Sequence, residues 1–244
     1  MRELPELIDV DDPAWPELRK ELDSSRAPVE VLPADGEAGR AALLHLQITA
    51  RSYLGAFALH CGGLVLDHGW LRVFGSPAAG PGNPRDLPAL ARVNDFPATF
   101  DAGWRAEAGL IIAHDVLGGV FAVNGAAPEQ AGRPGAPGEV VYFAPDSLRW
   151  EALGAGHGAW LSWILSGALD EFYETLRWPG WRDEVRGLTA GQGLAFFPPL
   201  WSAEARRDLA AAARRPVAMA EILGVSRATC AQLDGTDPGF LGAV

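Results

Sequence analysis

The sequence predicts an α+β protein, a mostly antiparallel sheet flanked by helices. Three observations predict it. Short apolar runs punctuated by glycine recur at 54–75 and 109–154. Their tight glycine connections make consecutive strands a meander, hence antiparallel. Helical spacing governs the two ends of the chain, before residue 50 and after residue 156.

Taken in order, "DDPAWPELRKELDSS" reads as a helix capped by Asp12, with Pro13 at its first position and Trp15, Leu18 and Leu22 on one face. "VEVL" at 29–32 is a short strand, and "GRAALLHLQI" at 39–48 a second helix. "LGAFALHCGGLVLDHGWLRVFG" reads as three strands, at about 54–60, 63–67 and 70–74. Gly62-Gly63 and Asp67-His68-Gly69 would connect them. Residues 76–103 are rich in Pro and Gly and read as a long loop with one short helix near 86–92.

"GLIIAHD", "GGVFAVNG" and "EVVYFAPD" are three further strands, with "LRWEAL" a short fourth. The segment "GAAPEQAGRPGAPGE" between them lacks periodicity and reads as a long exposed hairpin arm over 125–139. "HGAWLSWILSG" then places Trp160, Leu161, Ile164 and Leu165 on one helical face, with Gly167 to end it. "ALDEFYETLRW" spaces Leu169, Phe172, Tyr173 and Leu176 as a helix. "WPGW" is a turn whose Trp178 and Trp181 read as a packed corner in preference to an exposed anchor, and "SAEARRDLAAAARR" and "PVAMAEILGVS" read as two more helices. The whole, 1–244, reads as one α+β domain. N-terminal helices and a meander fill 1–75, the loop 76–103, sheet and helices 104–201, and a helical tail 202–244.

Composition narrows the function. With 48% hydrophobic and 21% charged residues, 244 residues suffice for a core without disulfide or metal staples. No apolar run approaches the roughly 20 residues that span a bilayer. The acidic "MRELPELIDVDDPAW" is no signal peptide, so the expected location is cytoplasmic, with no membrane partner. A net charge of −11 argues against nucleic acid and favours rapid association with a basic protein. Residues 1–35 hold ten acids against four bases, Arg2, Arg19, Lys20 and Arg26. Cys61 and Cys230 stand far apart and read as small buried hydrophobes.

No motif identifies a reaction. "GGVFAVNGAA" lacks the helix N-terminus and Gly-Lys-Ser/Thr of a phosphate cradle. The histidines, His45, His60, His68, His114 and His157, form no close metal-ligand set, so neither a metal nor another cofactor is expected. There is no Gly-x-Ser-x-Gly elbow, and adjacent residues such as His114 and Asp115 point to opposite faces of a strand. In "AHDVLGGVFAVNG", Gly118-Gly119 reads as a bend or close approach, Asn124-Gly125 as a turn, and Asp115 as a cap between strands.

Several blocks occur in a fixed order: "TARSYLGAFALHCGGLVLDHGWLRVFGS", "LIIAHDVLGGVFAVNGAA", "VVYFAPDSLRWEALG", "LDEFYETLRWPGW" and "FFPPLWS". Together they resemble the bacterial family DUF2625, over nearly the whole chain to about Trp201. That resemblance brings no established activity. Over about 110–177 the order of an acid, a double glycine, Asn-Gly, "VYF", an Asp and a Trp-bearing helix is more distantly similar to the SMI1/KNR4 (SUKH) superfamily. That likeness implies a SUKH-like helix-flanked sheet with an N-terminal extension. It also implies kinship with immunity proteins that bind and block toxins.

The leading expectation is therefore a non-enzymatic binding protein whose partner is basic, such as a toxin. Its interface residues are drawn from turn and strand-end positions of the resembling motifs: Trp70, Arg72, Asp115, Trp150 and Trp181. The alternative is a hydrolase or small-molecule-binding protein with Asp67, His68, His114 and Asp115 about one cleft. A third option is an interaction module that pairs subunits through the 125–139 arm.

Overall fold

The computed structural model describes residues 1–80, 83, 85–233 and 235–244. In chain order the elements begin with α1 (Leu4–Ile8), α2 (Trp15–Asp23), β1 (Val29–Leu32), α3 (Gly36–Leu46), α4 (Tyr53–His60), β2 (Gly63–Leu66) and β3 (Leu71–Phe74). Next come α5 (Leu90–Val93), β4 (Leu110–Asp115), β5 (Val120–Val123), β6 (Glu139–Ala144) and β7 (Arg149–Gly156). The chain then forms α6 (His157–Leu165), α7 (Leu169–Phe172), α8 (Trp181–Arg186), β8 (Gln192–Phe197), α9 (Ala203–Arg207), β9 (Ala213–Ala218) and α10 (Met219–Leu233). The fold is α+β. A seven-stranded sheet in the order β1-β2-β3-β4-β5-β6-β7 pairs antiparallel throughout, and β8-β9 is a separate two-stranded sheet.

Register fixes which side chains share a face. Val65, Arg72, His114, Val120, Phe143 and Trp150 are successive cross-strand partners and form one row. Leu64, Val73, Ala113, Phe121, Tyr142 and Glu151 form the adjacent row, so they face the other way. Phe121 meets Trp160 of α6 at 5.4 Å, which puts the helical layer on this second face. On the first face Arg72 reaches the main chain at Ala190, 2.9 Å away, and at Gln192, tying the β8-β9 unit to the sheet. Burial holds the Arg72 guanidinium below its ordinary value, at about 10.

Several sequence expectations need correction. Residues 54–60 are helix α4, not a strand. Ser52 caps it by accepting the Gly55 amide at 3.0 Å, and Gly55 to Leu59 are all buried. A helix buried on all sides shows no amphipathic period, so its run of apolar residues looks like a core strand. Gly62-Gly63 thus joins a helix to β2, and the meander starts there.

The first of the larger helices begins at Trp15 with Pro16 in its first turn, so Asp12 and Pro13 lie ahead of it. The helix expected near 86–92 is the four-residue α5; parts of 81–84 fall outside the described residues. The expected helix at 169–177 breaks after Phe172 into a 3-10 turn over Glu174–Leu176.

The C-terminal region departs most. Residues 192–197 and 213–218 are strands, and only the short α9 survives of the helix expected across 202–215. Pro216 sits within β9, tolerated because β9 has a single partner strand. The 125–139 segment is not a free arm. Pro128 is buried in a 3-10 turn, and Arg133 is only 4% exposed.

Candidate functional site

The residues singled out from sequence gather in two places, on opposite faces of the sheet. The first is a buried polar knot on the helical face, at the C-terminal end of β4. Asp115, fully buried, accepts four hydrogen bonds. Its Oδ1 takes the amides of Leu117 and Gly119 at 2.8 and 2.9 Å, and its Oδ2 takes the hydroxyls of Tyr142 and Tyr173 at 2.7 and 3.1 Å. The double glycine exists for this knot. Gly118 has φ +87°, and a side chain on Gly119 would overlap Asp115 Oδ2 and the Tyr142 hydroxyl. Burial pushes the Asp115 carboxyl above the usual range, against the pull of its four donors. Burial also raises both tyrosines well above theirs.

Next to Tyr173 stands Arg177, whose guanidinium lies 4.2 Å from the Trp181 ring centre, 4.9 Å from Trp70 and 5.4 Å from Tyr173. It pairs with Asp67, also buried, and with Asp170 at 2.6 Å. Asp67 and His68 adopt left-handed backbone, φ 53° and 64°, so the β2–β3 turn presents the carboxylate to Arg177. A cation ringed by aromatic faces and held by two carboxylates is well compensated for leaving water. Asp115, Tyr142 and Tyr173 are closed to solvent, while the Asp170 partner of Arg177 is exposed.

This burial bears on the sequence expectations. Trp70 and Asp115 are 0% exposed, Arg72 is 3% and Trp181 is 6%, so none of the four presents an anchor to a partner. Trp150 alone of the five is part-exposed. The proposed Asp/His cleft does not assemble either. His114 points away from Asp115, its Nε2 donating to the Leu241 carbonyl at 2.9 Å while its ring packs on Phe74. Burial lowers His114 to about 4. His68 is partly exposed and accepts from Arg186 at 3.3 Å. Asp67 is committed to Arg177. Alternation along β4 separates the pair, as it must for neighbours on a strand.

The second place is open to solvent. A groove of about 660 Å³ runs between the 129–134 segment, the start of β7 and residues 236–238. Arg133 and Trp150 line it, the guanidinium 4.3 Å from the ring centre. Sequence reading chose Trp150 but missed Arg133, because a lone arginine between glycines and prolines carries no periodic signal. Both cysteines are buried and neither forms a disulfide among the described residues; burial pushes the Cys61 thiol up to about 12. Among the described residues no three His, Cys, Asp or Glu side chains cluster as a metal site, and no helix is long and apolar enough to cross a membrane.

The fold and its knot define an antiparallel α+β protein whose Gly-Gly turn, Asp115 and Trp-Pro-Gly-Trp corner are structural signatures. The family model described as "Protein of unknown function DUF2625" matches residues 4–222, and the chain belongs to that family. It is 41% identical over 208 residues to the "Putative uncharacterized protein YbfG" of Escherichia coli (strain K12), covering 84% of this chain and 89% of that protein. It is 30% identical over 200 residues to an "Uncharacterized protein" of Haemophilus influenzae (strain ATCC 51907 / DSM 11121 / KW20 / Rd), covering 82% and 83%. No solved structure matches. None of these matches brings in the SMI1/KNR4 superfamily, so that likeness stays with the motifs alone.

Proposed function

We propose that the protein is a non-enzymatic, cytoplasmic protein-binding module whose partner is a basic protein, such as a toxin that it neutralises. One observation carries this reading: the acids in and beside the first two helices, Glu21 apart, stand outward. Leu7, Leu18 and Leu22 are buried, while Glu3, Glu6, Asp9, Asp11, Asp12, Glu17 and Asp23 are exposed. An open groove of about 660 Å³ lies here, with Asp11, Asp12, Glu17 and Tyr53 in its lining beside Lys20 and Arg51. Glu21 is set apart from the exposed acids. It accepts the Tyr53 and Ser162 hydroxyls, each at 2.6 Å, and so ties α2 to α4 and α6.

A surface on which acids outnumber bases raises association rates with a basic partner and loses that gain in salt. The polar groups that would otherwise argue for catalysis are spent inside the fold, in the Asp115 and Arg177 knot.

The test is capture from native lysate on the immobilised chain with washes at rising salt, run beside Asp11→Lys/Asp12→Lys/Glu17→Lys. A stoichiometric basic protein, held by the parent chain, released by salt and not held by the variant, is the expected result. Equal capture by the variant, or a partner indifferent to salt, overturns the reading.

A further inference from the structure

The last nine residues of the chain lie on the sheet as a ligand would. Three side chains from three separate elements each donate to a main-chain carbonyl of this tail. Trp150 Nε1 of β7 donates to Pro238 at 2.9 Å, and Arg133 Nη2 of the 125–139 segment donates to Phe240 at 3.1 Å. His114 Nε2 of β4 donates to Leu241 at 2.9 Å. A carbonyl only accepts, so His114 must carry its proton on Nε2. In return the Ala243 amide donates to the Val93 carbonyl at 2.8 Å, at the end of α5.

Side chains that read successive backbone carbonyls of one segment are the features of a peptide groove. Selectivity comes from two adjacent positions. Leu241 is 2% exposed, and Gly242 has φ +107°, which side-chain-bearing residues rarely adopt, while a Cβ would press on His114 at 3.0 Å and Val93 at 3.1 Å.

Other features mark the tail as separable. Thr236, Asp237 and Pro238 border the open groove beside Trp150 and Arg133, so its entry is not sealed. Gly235 and Gly239 take left-handed backbone, φ 64° and 78°. Among the described residues Arg133 pairs with no carboxylate. Its Nη1 and Nη2 go to the carbonyls of Ala108 and Phe240, and its Nε has no partner among the described residues. The match to the family model ends at residue 222, before the tail.

We propose that residues 236–244 are a built-in, releasable peptide ligand. The groove beneath them takes a peptide in trans in the tail's turned, non-helical conformation, with a large apolar residue followed by glycine. The site lies on the opposite sheet face from the Asp115 knot and does not depend on the acidic surface of α1 and α2.

The experiment uses the full chain with a specific protease site inserted after Gly235. Nicking is expected to leave the circular dichroism unchanged. The tail then leaves on gel filtration, and a fluorescein-labelled peptide of residues 236–244 rebinds saturably. Leu241→Asp or Gly242→Val in that peptide is expected to weaken binding at least tenfold. Loss of the fold on nicking, a tail that neither leaves nor exchanges, or equal binding of the altered peptides overturns the proposal. In the uncut chain, hydrogen exchange is expected to open the Ala243 amide at least tenfold more often than the β4 amides. Equal protection makes the tail an integral part of the core and overturns it as well.

Discussion

Asp115 Oδ2 accepts the Tyr142 hydroxyl at 2.7 Å in the space that the missing side chain of Gly119 leaves. The contact joins the β4–β5 turn to β6, and Tyr173 brings the helical layer to the same oxygen. Replacing Asp115 by Ala strands two amides and two hydroxyls in an apolar interior. Each orphaned donor costs about 1–3 kcal/mol. Asp115→Ala is therefore expected to lose at least ~3 kcal/mol in urea unfolding. Gly119→Ala is expected to lose a comparable amount, because its methyl has no room.

Arg177 and Asp67 form a buried pair between aromatic walls. Removing the cation leaves a carboxylate in the interior, which typically costs about 3–5 kcal/mol. Arg177→Met should show that loss. Adding Asp67→Asn should return a large part of it, because the stranded charge is then gone. A double-mutant cycle in denaturant measures both, and strictly additive losses would contradict the coupling.

Stability should fall in mild acid. Burial holds His114 and His157 each at about 4 in the folded chain, against an ordinary value of 6.5. Unfolded, each binds its proton first. The stability they contribute is thus present above pH 6.5 and is lost as the pH falls toward 4. Asp115 works the other way, since its raised carboxyl favours the folded state once protonated. Between pH 7.5 and 5 the melting temperature is expected to drop by ~5 °C or more. His157→Phe keeps a ring against Phe57 and Trp160 and should flatten that dependence. An unchanged slope would remove His157 as a cause.

The Arg133–Trp150 stack should report on the groove. Arg133→Leu leaves the Ala108 and Phe240 carbonyls without their donor. It should alter the fluorescence of Trp150 and lower stability by about 1–3 kcal/mol. A Trp150→Phe background, which lacks the indole, should show the stability loss without the optical change.

The sheet strands were legible wherever short apolar runs ended in turn residues. β1 through β7 lie where the alternation and the glycines place them. Even the role of Gly118-Gly119 as a close approach could be read, though what approaches could not. Helix α4 was misread because full burial erases the helical period. β8 and β9 were missed because "QGLAFF" runs into prolines and "ARRPVA" is mostly polar. Their pairing with each other, six residue pairs long, comes from chain segments with little local strand signal. Four of the five candidate interface residues, Trp70, Arg72, Asp115 and Trp181, are buried, and were misread for a different reason. Trp, Arg and Asp near turns look alike in sequence whether they face water or one another.

The sequence by itself determined the class of fold, the family, the meander from β2 onward and the acidic character of the first helices. These depend on local spacing and composition, which a single chain displays directly. Only the tertiary structure decided that Trp70, Asp115 and Trp181 lie inside, that His114 and Asp115 serve opposite faces, and that the tail rests on Trp150, Arg133 and His114. Each of those depends on partners 27 to 127 residues away along the chain, and burial is a property of the neighbours a residue acquires, not of the residue.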